Sequence, residues 1–170
     1  MRDVEYLEFM WPMRSFLVTC GDIKRKSNII AVSFCMPVSK EPPMLACAIT
    51  KTTYSSEVIS AFGEFVVNVP PAALRRQIYF CGTHSGRSLD KFREAGLTPR
   101  PARKVRAPIV GECLAFMECS SAYRVSAGDK YVFMGQVVES YAEEALAEGR
   151  GEIEFAEGDF PRKVYGTRFP

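Results

Sequence analysis

The chain has a single histidine, His84, and its six cysteines include no C-x-x-C pair. A metal centre of the usual thiolate or imidazole kind is therefore not expected. No G-x-G-x-x-G or G-x-x-x-x-G-K-[ST] run occurs, and Gly149-Arg150-Gly151 lacks a third glycine and is followed by acidic residues, which excludes a Rossmann or P-loop nucleotide site. No serine or aspartate pattern around His84 completes a nucleophilic triad. The carboxylate pairs Glu143-Glu144 and Glu152/Glu154 lie on polar segments and read as solvated faces. Charge of one sign is also missing, since 22 basic and 20 acidic residues leave a net +2, and no face for nucleic acid is implied. No apolar run approaches the roughly 20 residues a membrane span needs. The first nine residues carry Arg2, Asp3, Glu5 and Glu8, against a secretory signal. A soluble cytoplasmic protein that binds neither membrane nor nucleic acid is the expectation, its cysteines serving as small buried hydrophobes with room for one reactive thiol.

What is present fits one domain over residues 1–170, at 47% hydrophobic and 25% charged. Residues 15–20 read as a strand, a polar turn over 24–27 follows, and the β-branched run 29–34 forms the second arm of a hairpin. Pro37, Pro42 and Pro43 interrupt the next stretch before a strand over 44–50. From Ser55 the period changes, with Val58, Ile59 and Phe62 at helical spacing and Gly63 as a stop. Residues 65–69 form a strand. Pro70-Pro71 opens a second helix that Gly82 ends, and Ser88 caps a third over 89–95 that Gly96 closes. A proline-rich connector covers 97–108, and two long strands, 114–123 and 131–141, flank a turn over 126–129. Six or seven strands with three short helices between them favour a mainly β barrel over a doubly wound sheet.

Two clusters can meet an anion. Lys51-Thr52-Thr53-Tyr54-Ser55-Ser56 places hydroxyls at a helix start, where free N–H groups and the dipole favour negative charge. A plain helix cap explains the same residues. Cys81-Gly82-Thr83-His84-Ser85-Gly86-Arg87-Ser88, followed by Lys91, offers two glycines for close backbone approach, or simply a solvated loop.

The order of segments resembles the flavin reductase-like family. The likeness is carried by Asn28 to Phe34, Val38-Ser39-Lys40-Glu41-Pro42-Pro43, Gly63 to Pro70, Cys81-Gly82 with Ser85-Gly86, Asp90-Lys91-Phe92, Ala107-Pro108 and Gly128-Asp129 through Gly135. It extends from about residue 12 to 141. The resemblance implies an FMN-binding split β-barrel and a homodimer with FMN near the subunit interface. It further implies that NADH or NADPH reduces the flavin, with electrons passed to free flavin, ferric complexes or a partner protein. A flavoredoxin-type carrier without nicotinamide activity is the alternative. By position, Asn28, Ala31, Val32, Ser33 and Phe34 would contact the isoalloxazine. Ser55, Ser56 and Lys91 would hold the phosphate, with Gly82, Ser85 and Gly86 completing the clamp. Family members often have a histidine where Lys130 stands and a tryptophan where Phe34 stands. Lys130 would then offer a fixed cation to reduced flavin, and Tyr165, with Pro161 and Gly166, would pack over the cofactor. No side-chain catalyst is required, because the cofactor carries the chemistry.

Overall fold

The computed structural model describes residues 6–10 and 13–144, except for the side chains of residues 8, 9, 121 and 122. The expected contributions of Pro161, Tyr165 and Gly166 lie outside the described residues. Strand β1 (Phe16–Asp22) is buried at every residue but its ends, which explains its near-continuous apolar composition. It pairs antiparallel with β2 (Lys26–Val32), Cys20 facing Asn28 and Leu17 facing Ala31. Alternation along β1 divides the core. Val18 and Cys20 join Val67, Phe65 and Phe133 on one face, while Leu17 meets Val66, Ile78 and Phe92 on the other.

Four further strands follow from the long hydrophobic runs: β4 (Pro43–Thr50), β5 (Glu64–Val69), β8 (Ala115–Ala127) and β9 (Lys130–Ala142). With β3 (Cys35–Lys40) they complete a seven-stranded sheet in the order β2-β1-β5-β8-β9-β4-β3, every pair antiparallel. Irregularities in β8 at Glu118/Cys119 and Ser121/Tyr123 strengthen its bend. The sheet is thus a split β-barrel, with its opening between β2 and β4. Gly128, at φ 56°, makes the tight turn that delivers Lys130 to the start of β9.

Several boundaries differ from those expected. Pro37 does not break the chain but sits inside β3, an edge strand that needs hydrogen bonds on one side only and shifts register between Pro37 and Ser39. The segment expected as a bare connector contains β6 (Pro99–Arg100), paired with β7 (Ile109–Val110). It is pinned by Glu118, which is fully buried and accepts from the N–H groups of Arg103 (2.7 Å), Lys104 (2.6 Å) and Val105 (3.2 Å) and from the Tyr141 hydroxyl (2.8 Å).

Helix α1 (Tyr54–Phe62) begins one residue earlier than its apolar period suggested and ends at Gly63, φ 69°. Helix α2 (Arg75–Thr83) follows a 3-10 turn at Ala72–Leu74 and runs one residue past Gly82. Helix α3 (Lys91–Ala95) is capped by Asp90 rather than Ser88: the Asp90 carboxylate accepts from the N–H groups of Phe92 and Arg93, whereas the Ser88 hydroxyl donates back to the Ser85 carbonyl. A carboxylate complements the helix dipole as well as the free N–H groups, so it takes the cap.

Candidate functional site

The opening of the barrel forms a cavity of about 230 Å³. Strand β2 supplies Ile30, Ala31 and Val32, the chain continues through Ser33 and Phe34, and β4 supplies Ala48, Ile49 and Thr50 from the opposite side. Thr53, Gly82, Asp129 and Lys130 complete the wall. In the sheet β2 pairs only with β1, so its other edge offers backbone N–H and C=O groups to this space. β3 parts from β4 beyond Cys47, where the Ala48 N–H bonds the Phe34 carbonyl (2.8 Å). The slot therefore lies between two sheet edges, a geometry suited to a flat ring system with hydrogen-bonding groups on its rim.

At one wall, the Lys130 Nζ donates to Thr50 Oγ1 (3.1 Å) and to Asp129 Oδ2 (3.0 Å) and lies 5.7 Å from the centre of the Phe34 ring. The hydrogen bond from Lys130 holds the Asp129 carboxyl below its usual range. At another stands the start of α1. Thr53 is its N-cap, accepting from the Ser56 N–H (3.3 Å) and donating to the Thr50 carbonyl (2.9 Å). Tyr54, the first helical residue, carries Lys26 Nζ 4.8 Å and the Arg87 guanidinium 5.6 Å from its ring centre, and Arg87 forms a two-pronged ion pair with Glu57. With Arg87 balanced by Glu57, Lys26 leaves one net positive charge where the helix already presents free N–H groups.

Of the residues expected at a flavin, Ala31, Val32, Ser33, Phe34, Gly82 and Lys130 line this cavity. Asn28, Ser55, Gly86 and Lys91 are buried and lie off its wall, and Ser56, buried as well, lines a separate pocket with Lys51, Glu57 and Tyr131. Asn28 Nδ2 donates to Ser55 Oγ (2.8 Å), and Ser55 and Ser56 are 0% and 1% exposed. A side chain at Gly86 would collide with the Asn28 amide oxygen. The Lys91 ammonium donates to the carbonyls of Cys81 (2.8 Å) and His84 (3.1 Å), and burial pushes its pKa down. Ser85 is exposed and accepts from the Arg87 N–H (3.3 Å), while His84 is exposed and stacked on Phe80.

Sequence reasoning placed Thr53 in the hydroxyl-rich run and Asp129 in a turn without singling out either as a wall residue, and it missed Thr50. A signal for Thr53 existed, because a cap hydroxyl stands three residues ahead of the N–H it receives, here that of Ser56. It also missed a larger apolar groove of about 650 Å³ that includes Met10, Met13, Phe16 and Met36 and shares Ser33, Phe34 and Ala48 with the first cavity. Among the described residues no helix is long and apolar enough to cross a membrane.

The chain is similar to known proteins. Residues 11–161 match the model of the flavin reductase like domain, so the chain belongs to the flavin reductase-like family. A protein of Archaeoglobus fulgidus is 32% identical over 89% of this chain and 85% of its own. The structure of flavoredoxin from Desulfovibrio vulgaris (Miyazaki F) matches with a TM-score of 0.73 at 30% identity, covering 85% of this chain and 75% of that one. The reductase subunit HsaB of a flavin-dependent monooxygenase from Mycobacterium tuberculosis is 32% identical over 72% of this chain and 62% of its own.

Proposed function

We propose that the split of the barrel binds FMN and that the protein is an oxidoreductase. In this reading it reduces flavin at the expense of NADH or NADPH and passes electrons to free flavin, ferric complexes or a partner protein. The observation that carries this reading is the slot between the unpaired β2 edge and β4, with a helix start and a lysine on its walls. Ala31, Val32, Ser33 and Phe34 would meet the ring through backbone amides and side chains. Thr53 and the first N–H groups of α1 suit a phosphate, and Gly82 lets that group approach the backbone closely. Asn28 and Ser55 set the position of α1 against β2. Ser56, Ser85 and Gly86 shape the surrounding loops, and Lys91 brings a buried cation with three donors, two already committed to carbonyls.

Bound FMN supplies redox chemistry in one- and two-electron steps, so no side-chain nucleophile is needed. The Lys130 ammonium places a positive charge at the wall and favours the negative charge that reduced flavin carries. The working form would be a cytoplasmic homodimer. The flavoredoxin likeness supports the competing reading of an FMN-binding electron carrier. Stopped-flow mixing of FMN-loaded protein with NADH and with NADPH separates the two. Bleaching of the flavin absorbance by either donor is the expected result, and its absence at saturating concentrations of both would refute the reductase in favour of the carrier.

A further inference from the structure

Cys35 and Cys47 face each other directly across β3 and β4. One residue along, the Ala48 N–H bonds the Phe34 carbonyl, so the 35/47 position is the non-bonded member of the antiparallel alternation. At such positions the Cα atoms lie about 4.5 Å apart, within the span of roughly 4.4–6.8 Å that a disulfide bridges. The two sulfurs are 3.1 Å apart, the Cys47 thiol donating to Cys35 Sγ. Their settings differ. Cys47 is fully buried, while Cys35 is half-buried on the wall of the apolar groove.

We propose that Cys35 and Cys47 form a peroxide-sensitive dithiol, Cys35 being the thiol attacked first and Cys47 the one that resolves it into an intramolecular disulfide. The Cys35 thiolate attacks hydrogen peroxide, breaking the O–O bond. Hydroxide leaves, takes up a proton as water, and Cys35 becomes a sulfenic acid. Cys47 sulfur then displaces the sulfenic hydroxyl, forming the S–S bond as the Cys47 proton and that hydroxyl depart as a second water. Two electrons thus leave the dithiol and reduce one peroxide.

The roles follow from the environment. The bond to Cys35 and then burial raise the Cys47 pKa well above its ordinary value, which makes Cys47 the poorer first nucleophile. Burial likewise pushes Cys20, Cys81 and Cys119 up to about 12, 11 and 12. Oxidation would tie β3 to β4 beside Phe34 and Ala48, two of the three residues that belong to both groove and cavity. The proposal stands independently of the flavin reading, since it requires only the chain and peroxide.

The test is to expose reduced, desalted protein to hydrogen peroxide and map its thiols by mass spectrometry. The expected product is a Cys35–Cys47 disulfide, reversed by dithiothreitol and formed roughly tenfold faster than any other thiol is modified. In C47A, Cys35 should be trapped by dimedone as the sulfenic acid, and in C35A, Cys47 should remain reduced. A disulfide through Cys119, oxidation spread over all six cysteines, or protection of Cys35 while other thiols react would each overturn the proposal. Circular dichroism of both variants checks that they fold, and the wild-type map decides the matter if either does not.

Discussion

Replacing Thr53 with valine keeps the shape of the side chain and removes its oxygen, which separates helix capping from ligand binding. In the free protein that oxygen accepts one bond, from the Ser56 N–H at 3.3 Å, and gives one, to the Thr50 carbonyl at 2.9 Å. Loss of a cap costs about 1 kcal/mol, and in a domain of this size that lowers Tm by roughly 2–4 °C. Binding follows a different account. A hydroxyl has one proton, so to donate to a phosphate it must leave the Thr50 carbonyl. It exchanges a bond of about 1 kcal/mol for one to a charged acceptor of about 1.5–3 kcal/mol. The net gain of about 0.5–2 kcal/mol corresponds to roughly 2- to 30-fold in Kd.

Fluorescence titrations should therefore show T53V weakened about 2- to 30-fold toward FMN and essentially unchanged toward riboflavin, which has no phosphate, with T53S close to wild type for both. Equal weakening toward the two flavins would refute the phosphate role and point to the ring or to general loosening. An unchanged FMN affinity together with the fall in Tm would leave Thr53 a cap and nothing more.

Glu118→Gln should cost about 3 kcal/mol of unfolding free energy in urea, because either orientation of the new amide sets an N–H group against a backbone N–H, that of Arg103 or those of Lys104 and Val105, in a fully buried site; a loss under about 1 kcal/mol would show that the 103–105 segment relaxes freely. Lys91 provides a test in pH. Its folded pKa is lowered from 10.5, so between the two values the unfolded chain binds more protons and stability from this group rises as pH climbs toward 10.5. Lys91→Met lacks that rise, and the stability of the variant relative to wild type should fall as pH climbs toward 10.5; a constant difference would contradict a desolvated ammonium.

The strands were legible because their apolar runs are long and bounded by Gly, Asp or Pro. Strand β3 was not, since Pro37 argues against a strand unless one knows that it lies on an edge, a fact about pairing rather than local sequence. Phe34 and Lys130 could be read as neighbours of one site only through a resemblance. They are distant in sequence and meet because β9 pairs with β4 and Phe34 bonds Ala48. Ser55 and Ser56 stand out in the hydroxyl-rich run as the preferred phosphate ligands, yet the start of the helix at Tyr54 buries both and leaves Thr53 on the wall of the cavity. Glu118 gave no signal, for a lone glutamate in a strand is ordinarily solvated.

The division between wall and support explains why so many polar side chains gather where few of them line the cavity. The wall is largely backbone edge and cap, and such groups bind well only if the elements bearing them are held at a fixed separation before a ligand arrives. The Asn28–Ser55 bond ties β2 to the first turn of α1, while Lys91 binds the last turn of α2 and the His84 carbonyl to the start of α3. Gly86 is confined by the same requirement: the loop after α2 passes so close to the Asn28 amide that a Cβ would strike its oxygen. A glycine there is explained by the packing of the support, without any contact to a phosphate.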